Sequence, residues 1–514
     1  LNRYELKKKY YDKFLKEIVG SYFMSIYLSR ETLGSLPDNV CRPQYKYNDL
    51  EPGIIHIGYG NFHRAHQSLY MDDLFNKGLD LDWAIVGSGV RPHDSKIRET
   101  LQKQDFLTTV VELQPGENTA RVTSPIVDFL PVEKGNSSLV NALSSPWARI
   151  VSLTITEGGY FIDPATGEFD QECPEIIVDA ENPNQPISVF GALVLGLKQR
   201  RKAGVPPFTL MSCDNLPGNG DVTKKVVVGA ANMIDPDLAR WIEGEVAFPN
   251  GMVDRITPAT TERERDKLLK NFGIEDKWPV FCEPFRQWVL EDHFPMGRPA
   301  LEEVGVTFTD KVSAFELMKI RILNGGHATI AYPAALLDIH FVHDAMSNDL
   351  IKRFLEKVEM EEIIPLIPPV PETDLMGYFK LIQERFSNPD ICDTIPRLCQ
   401  DGSNRQPKFI LPSIRDRLNL GLDVRGLALE IALWCRYCYG ESKSGKSIFL
   451  EDNNSEKLRK TSLEARGNPL VFLGMEEIFG DLGEHHVFRE RFSDALDSIW
   501  SDGVEKTMES YLLF

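Results

Sequence analysis

Short, unbroken apolar runs of strand length recur through the first half of this chain, each followed by a stretch with helical spacing. The runs are IIHIGYG (54–60), LDWAIVGSGV (81–90), TTVVEL (108–113), RIVSLTIT (149–156) and PFTLMSCDN (207–215). Between them lie segments such as FHRAHQSLYMDDLFNKG and SVFGALVLGLKQRRKAG (188–204). A strand that is apolar on both faces must be covered on both faces, so the pattern predicts a parallel sheet between helix layers, an α/β fold. Beyond about residue 305 the strand signal fades. FELMKIRILNGGHATIAYPAALLDIHFVHDAM, DLIKRFLEKVEMEEI, LDVRGLALEIALWCRYCYG and FRERFSDALDSIW all have helical periodicity, with a Pro-rich connector at 363–374. No internal repeat or low-complexity tract interrupts either half.

Length and charge narrow the function. A chain of 514 residues predicts two to four domains at roughly 150 residues each. With 57 Lys and Arg against 76 Asp and Glu the net charge is −19, which argues against nucleic acid as a partner, because such binding rests on neutralising phosphates. Eight cysteines without a secreted disulfide pattern favour a reducing compartment, and we expect a cytoplasmic protein. No run reaches the length of a membrane span. The first thirty residues mix Lys with Asp and Glu and read as an appended helix rather than a signal peptide. A processed or truncated start stays open, since the chain begins at Leu1.

The sharpest motif is Ile57-Gly58-Tyr59-Gly60-Asn61-Phe62, directly after a strand and opening a helix. Glycines there let the backbone approach a pyrophosphate, and a helix start offers free N–H groups. The third glycine of G-x-G-x-x-G is replaced by His63. Asp94, after the second strand, is placed to accept from a ribose hydroxyl, with His93 beside it, so NAD is favoured and NADP use stays open. The expected architecture is an extension over 1–47, a Rossmann-type dinucleotide-binding domain over 48–305, and a mostly α-helical substrate and catalytic domain over 306–514.

A second constellation is Lys319, Asn324 and His327. On an α-helix His327 lies about 80° and Asn324 about 140° around the axis from Lys319, so all three can share a face if the helix persists through Gly325-Gly326. A lysine in an apolar cleft can have a lowered pKa and act as acid and base. Asn offers an amide to a developing oxyanion and His a hydrogen bond to a hydroxyl. Asn215, after an apolar strand, and Asp254, in an apparent loop, are further polar candidates. Cys435-x2-Cys438 lacks a second pair and His340-x2-His343 lacks a carboxylate or thiol partner, so no metal site is expected.

GYGNFHRAH (58–66), TITEGGY (154–160), SCDNLPGNG (212–220), FPNGMVDRITP (248–258), CEPFRQWVLED (282–292) and KIRILNGGH (319–327), in this order, resemble the polyol-specific long-chain dehydrogenases/reductases. The resemblance runs from about residue 48 to near the C-terminus. It implies zinc-independent, reversible oxidation of a polyol to a ketose with NAD, typically mannitol at C2 to fructose. Lys319 matches the family's general acid/base, and Asn324 and His327 its oxygen-polarising pair. Asn215, Asp254 and Arg397 match substrate-binding positions, and Arg405 stands where the family's polyol enzymes carry a lysine. Glu316 matches a glutamate of proton passage, and Glu157, in TITEGGY, is expected at the cofactor. The alternatives are a hexuronate (fructuronate or tagaturonate) reductase of the same family, whose substrate carboxylate the Arg397/Arg405 pair could receive, or a catalytically inactive NAD-binding protein. The expected partners are a small polyol or ketose, with no nucleic acid and no membrane. The oligomeric state stays open, a monomer being compatible.

Overall fold

The structure, a computed structural model, describes residues 25–163 and 166–513. It divides into two compact units, one ending at Asp310 and one beginning at Lys311.

In chain order the strands of the first unit, among the described residues, are β1 (Ile26–Tyr27), β2 (Val40–Cys41), β3 (Pro52–Ile57), β4 (Ala84–Ser88), β5 (Thr108–Glu112), β6 (Thr119–Thr123), β7 (Ile126–Phe129), β8 (Ile150–Leu153), β9 (Thr209–Ser212), β10 (Gly251–Asp254), β11 (Ile274–Glu275), β12 (Val280–Cys282), β13 (Gln287–Leu290) and β14 (Thr307–Phe308). Five form an all-parallel sheet in the order β7-β4-β3-β8-β9. Successive residues of β3 point to opposite faces. Ile55 and Ile57 join Val151, Leu153 and Leu210 beneath the helices Ser137–Ser144, Val189–Ala203 and Asn219–Ile234. Ile54, Ile85, Ile150 and Met211 face Met71, Leu74 and Leu101 on the other side. Strand order reverses at β3, so β3 and β8 flank the switch point where such sheets bind ligands. The α/β expectation holds.

Two sequence expectations are corrected. TTVVEL is not in the parallel sheet: as β5 it pairs antiparallel with β6 in a separate sheet of order β12-β5-β6-β2, and Ile126–Phe129 takes the place as β7. The turn-forming Gln114-Pro115-Gly116-Glu117-Asn118 between β5 and β6 makes a hairpin, which period-2 apolarity alone does not distinguish from a buried parallel strand. The helix expected over the first thirty residues lies, up to residue 24, outside the described residues. From there on the chain is a series of turns and short 3-10 segments broken by two short strands, β1 pairing with β11 and β2 with β6. Leu28, Leu36 and Val40 are buried, which is why this stretch is woven into the first unit instead of standing apart.

The second unit is helical, as expected. Arg425–Cys438 packs against His486–Ser501, and Gly325–Leu336 packs against Arg425–Cys438 and Ile395–Cys399. Trp434, Tyr332, Phe472 and Phe479 cluster at the centre. Among the described residues no helix is long and apolar enough to cross a membrane.

One fully buried cation in the first unit, Arg200, has no carboxylate partner among the described residues and is held mainly by backbone carbonyls, with Nη2 3.5 Å from Met296 Sδ. Arg200 donates from Nε to Pro206 O at 2.6 Å and from Nη1 to the carbonyls of Leu143, Ser145 and Ala148 at 3.0, 2.8 and 3.0 Å. It therefore ties the end of its own helix to the turn entering β8. Arg200→Met keeps the stem but withdraws the donors; Ser145 O keeps its bond from Ala148 N at 3.2 Å, and each carbonyl left unpaired costs about 1–3 kcal/mol. We expect a loss of roughly 3 kcal/mol, read as a lower thermal midpoint. An unchanged melt would show that water replaces the guanidinium.

Candidate active site

The switch point is built around the turn after β3. Gly58 has φ +94°, and a Cβ there would lie 2.1 Å from Thr154 O, so only glycine fits. Thr154 Oγ1 donates to Gly58 O at 2.7 Å, and Gly58 N donates to Ser88 O at 3.1 Å, so the turn is sewn to the ends of both neighbouring strands. Gly60 differs. The nearest atom to a Cβ there is Gly58 O, 3.8 Å away, so the space above it is open. The helix that follows, Asn61–Ala65, is only five residues long before the break at His66, and a second helix runs Gln67–Asn76. Close backbone approach, not a long helix, is what this turn offers a ligand.

His63 takes the third-glycine place by filling the gap between helix and strand. Its ring stacks on His56 of β3 with centroids 3.4 Å apart and planes at 17°. His56 is pinned by Ser152 Oγ at 2.8 Å and Thr154 Oγ1 at 2.9 Å. Burial lowers the His56 pKa to about 3 and holds His63 well below its usual value, so both imidazoles are neutral and stack without charge repulsion. Arg64, which the sequence reading missed, braces the turn. It donates to Gly60 O at 3.3 Å and Asn61 Oδ1 at 2.7 Å, bonds Trp278 O, and lies 3.7 Å over the Trp278 ring. A cation in a first helical turn runs against the helix dipole, and that was the one available signal.

A cavity of about 700 Å³ opens at the carboxyl ends of β3, β4 and β8, lined by Ile57, Gly58, Asp94, Thr156 and Phe161 among others. Asp94 starts the helix Asp94–Lys103, lies against Gly89, and accepts from Arg91 N at 2.9 Å. Tyr59 is buried edge-on against Phe129. Asn61 is committed to Arg64 and, at 3.4 Å, to Thr260 Oγ1, while Phe62 stacks on His66. These three shape the turn from behind, whereas Glu157 is exposed in the short helix Glu157–Tyr160. Open space over Gly60, a cavity at the switch point and an acid at the end of β4 fit a dinucleotide. Asn215 is exposed just beyond β9, and Asp254 is buried at the end of β10. Asn219 ties their segments together, donating to Asp214 O at 3.1 Å and Gly251 O at 2.8 Å.

In the second unit Lys319, Asn324 and His327 lie on one continuous helical path. Val312–Met318 is α-helical, Lys319–Asn324 is a π-helical turn, and Gly325–Leu336 resumes the α-helix with Gly325 at φ −62° and ψ −43°. The Gly-Gly pair does not break the helix. The π turn revises the offset expected between Lys319 and Asn324, because a turn closed by i→i+5 bonds brings residues five apart onto one face. Arg321, inside that turn, ion-pairs with Asp416 and anchors it. Lys319 is buried, and Glu316 lies one turn before it, half-buried.

Asn324 Oδ1 and His327 Nε2 are both buried without a hydrogen-bond partner among the described residues. The His327 ring stacks on Phe386 at 4.2 Å. Burial holds its imidazole well below the usual range, and Arg397, Arg405 and Arg385 push the same way. The structure thus gathers Arg397 and Arg405 around His327 and adds Arg385, which the sequence reading did not single out. Arg397 is paired with Asp393, its Nε 2.5 Å from Oδ1. Arg405 Nη1 donates to Leu398 O at 2.8 Å and Gln400 O at 3.3 Å, closing off the helix Ile395–Cys399.

A doubly wound sheet with a glycine turn at its switch point, followed in the chain by a helical unit carrying Lys, Asn and His on one path, defines a two-domain dinucleotide-dependent dehydrogenase. Residues 52–303 match the model of the mannitol dehydrogenase Rossmann domain, and residues 311–500 match that of the mannitol dehydrogenase C-terminal domain. The chain belongs to the mannitol dehydrogenase family. It is 56% identical over 474 residues to mannitol 2-dehydrogenase of Cereibacter sphaeroides, covering 92% of this chain and 99% of that one. It is 39% identical over 477 residues to the Aspergillus oryzae mannitol 2-dehydrogenase, covering 91% and 95%. Among solved structures it resembles the Pseudomonas fluorescens mannitol 2-dehydrogenase ternary complex with NAD and D-mannitol, with TM-score 0.84, 42% identity and coverage of 95% and 99%. It also resembles a D-sorbitol dehydrogenase in substrate-free form, with TM-score 0.87, 35% identity and coverage of 94% and 100%.

The two glycines separate stability from binding. Gly58→Ala drives a Cβ into Thr154 O and should lower both the thermal midpoint and NADH affinity. Gly60→Ala meets no protein atom closer than 3.8 Å and should leave the midpoint within about 1 °C while weakening NADH binding. Fluorescence titration beside a melt distinguishes them, and unaltered NADH binding in Gly60→Ala would move the dinucleotide away from this turn.

Proposed function

We propose that this chain oxidises D-mannitol at C2 to D-fructose with NAD, reversibly and without a metal, the cofactor domain spanning about 48–305 and the catalytic domain about 306–514. The observation that carries the reading is the path Lys319–His327, where a buried lysine is followed by two buried polar atoms, Asn324 Oδ1 and His327 Nε2, that have no hydrogen-bond partner among the described residues. An unpaired buried polar atom costs roughly 1–3 kcal/mol, and a polyol rich in hydroxyls repays two of them at once. The relatives named for mannitol 2-dehydrogenase and the complex with NAD and D-mannitol support the substrate and the cofactor.

Ile57, Gly58, Gly60 and Asp94 would hold NAD, which when bound supplies the acceptor for the hydride leaving C2. Lys319 takes the proton of the C2 hydroxyl in oxidation and returns it in reduction. Asn324 and neutral His327 hold the same oxygen as negative charge develops on it, and fixed dipoles of this kind favour the transition state over the ground state. Glu316, one turn before Lys319, passes the proton onward. Asn215, Asp254, Arg397 and Arg405 complete the substrate set. Arg397 and Arg405 are engaged by Asp393 and by backbone carbonyls, which favours a neutral polyol over a hexuronate as their neighbour. The eight cysteines are all free thiols, five of them buried, which supports a cytoplasmic setting.

The first test is turnover: NAD with mannitol, and NADH with fructose against fructuronate, in the presence of EDTA. Activity on mannitol and fructose should persist, because among the described residues no three His, Cys, Asp or Glu side chains converge as a metal group. Preference for fructuronate would favour the hexuronate reading, and loss on chelation restored by zinc would overturn the metal-free one.

The second test is Lys319→Ala, which should lose about 10²–10⁴-fold in turnover while retaining NADH binding. The sign of the pH dependence follows from the proton's direction. Oxidation needs neutral Lys319 and should rise with pH to a plateau; reduction needs the ammonium and should fall over the same range. His327, held neutral by burial, adds no ionisation near neutral pH. If both profiles keep their midpoints in Lys319→Ala, another group carries the proton.

A further inference from the structure

The loop after β8 forms one wall of the nucleotide cavity, with Thr154, Ile155, Thr156, Gly159 and Phe161 facing it. Its backbone is not at ease. Thr156 sits at φ 65° and ψ 159°, a region essentially reserved for glycine, and Phe161 is left-handed at φ 48°. A β-branched threonine in that region is strained, and such strain persists only where surrounding contacts over-determine it. The contacts here converge on one side chain. Asp214, buried at the end of β9, accepts from Ile155 N at 3.0 Å and Tyr160 OH at 2.7 Å on Oδ2, and from Thr156 N at 2.9 Å on Oδ1. Tyr160 OH is also 2.6 Å from Ser212 Oγ, which accepts from Asp214 N at 3.2 Å, so the carboxylate is itself fixed in place.

We propose that Asp214 is a positioning residue for the cofactor: its carboxylate clamps the strained 154–161 loop in the one conformation that shapes the nucleotide cavity. The inference rests on reading that cavity as the NAD site. Only an acceptor on both oxygens serves the clamp, because an amide would turn an NH₂ toward one of the two backbone N–H groups. The carboxylate also links cofactor and substrate sides of the first unit, since Asn215 is the next residue.

The test is a double-mutant cycle between Asp214→Asn and Thr156→Gly, read by NADH fluorescence titration, thermal midpoint and the kinetics of mannitol oxidation. Asp214→Asn should bind NADH about tenfold more weakly, with KM for NAD rising more than kcat falls. Glycine adopts the Thr156 conformation without strain, so in the Thr156→Gly background the same substitution should cost several-fold less. A penalty of equal size in both backgrounds, or Asp214→Asn binding NADH like the wild type, would overturn the proposal. Should Asp214→Asn not fold, Tyr160→Phe removes one donor while keeping the carboxylate and carries the same cycle. Its smaller penalty should again shrink in Thr156→Gly, and additivity would again overturn it. A wild-type chain that does not bind NADH would overturn the cofactor reading and this inference with it, whereas wild-type binding with additive penalties removes this inference alone.

Discussion

Everything at the switch point depends on how closely β3 and β8 come together where they end. Gly58 Cα lies so near Thr154 O that a methyl group would overlap it at 2.1 Å. That approach lets Thr154 Oγ1 reach Gly58 O, turns the chain away from the sheet, and opens the space above Gly60. The same tight turn brings His63 down onto His56, where two neutral rings pack as one apolar unit. A charged imidazole there would meet both its neighbour and Arg64, and burial prevents that by disfavouring the proton. The usual small third residue is thus replaced by a large one, because β3 offers a flat partner beneath the helix.

The sheet was legible in the sequence wherever a strand was buried on both faces. β3, β4, β8 and β9 were read as unbroken apolar runs, and the runs owe their composition to helices on both sides. β7 was missed because Ile126–Phe129 is short and carries Asp128, an edge-strand pattern. β5 was misplaced because apolarity records burial and not the partner that supplies it: its neighbours are β12 and β6, both distant from the parallel sheet in hydrogen bonding. The first forty-seven residues were set aside as an extension. Their joins to β6 and β11 rest on two-residue ladders, too short to leave a periodic trace.

The site was legible as residue types and only partly as geometry. Lys319, Asn324 and His327 share a path, yet the π turn that places them has no propensity signature, since Lys319–Asn324 is an ordinary helix-forming string. A tertiary contact within it is the Arg321–Asp416 pair. A second π turn, Val358–Ile363, packs against the first and holds Glu359 fully buried, with burial raising its carboxyl well above the usual range. Wide turns are rare and tend to occur at functional sites, and here two of them meet beside the lysine.

Backbone strain and unpaired buried polar atoms occur at several places in this chain, and two of those places lie at the candidate sites. In the first unit a threonine occupies glycine's backbone region, at the cavity wall held by Asp214. In the second, an amide oxygen and an imidazole nitrogen are buried without partners among the described residues, on the helix of Lys319. Other buried groups are paired locally: Arg200 finds four backbone carbonyls, and Ser188 caps the helix Val189–Ala203 by accepting from Gly191 N. A sequence specifies its fold when local and global preferences agree, and departures are tolerated where a ligand offsets their cost. The Thr156 loop would gain from a cofactor that fills the cavity it lines, and the Asn324–His327 pair from hydroxyls that complete its hydrogen bonds. The two departures therefore ask for different chemistry, one a nucleotide and the other an alcohol, and together these are the two reactants of a dehydrogenase.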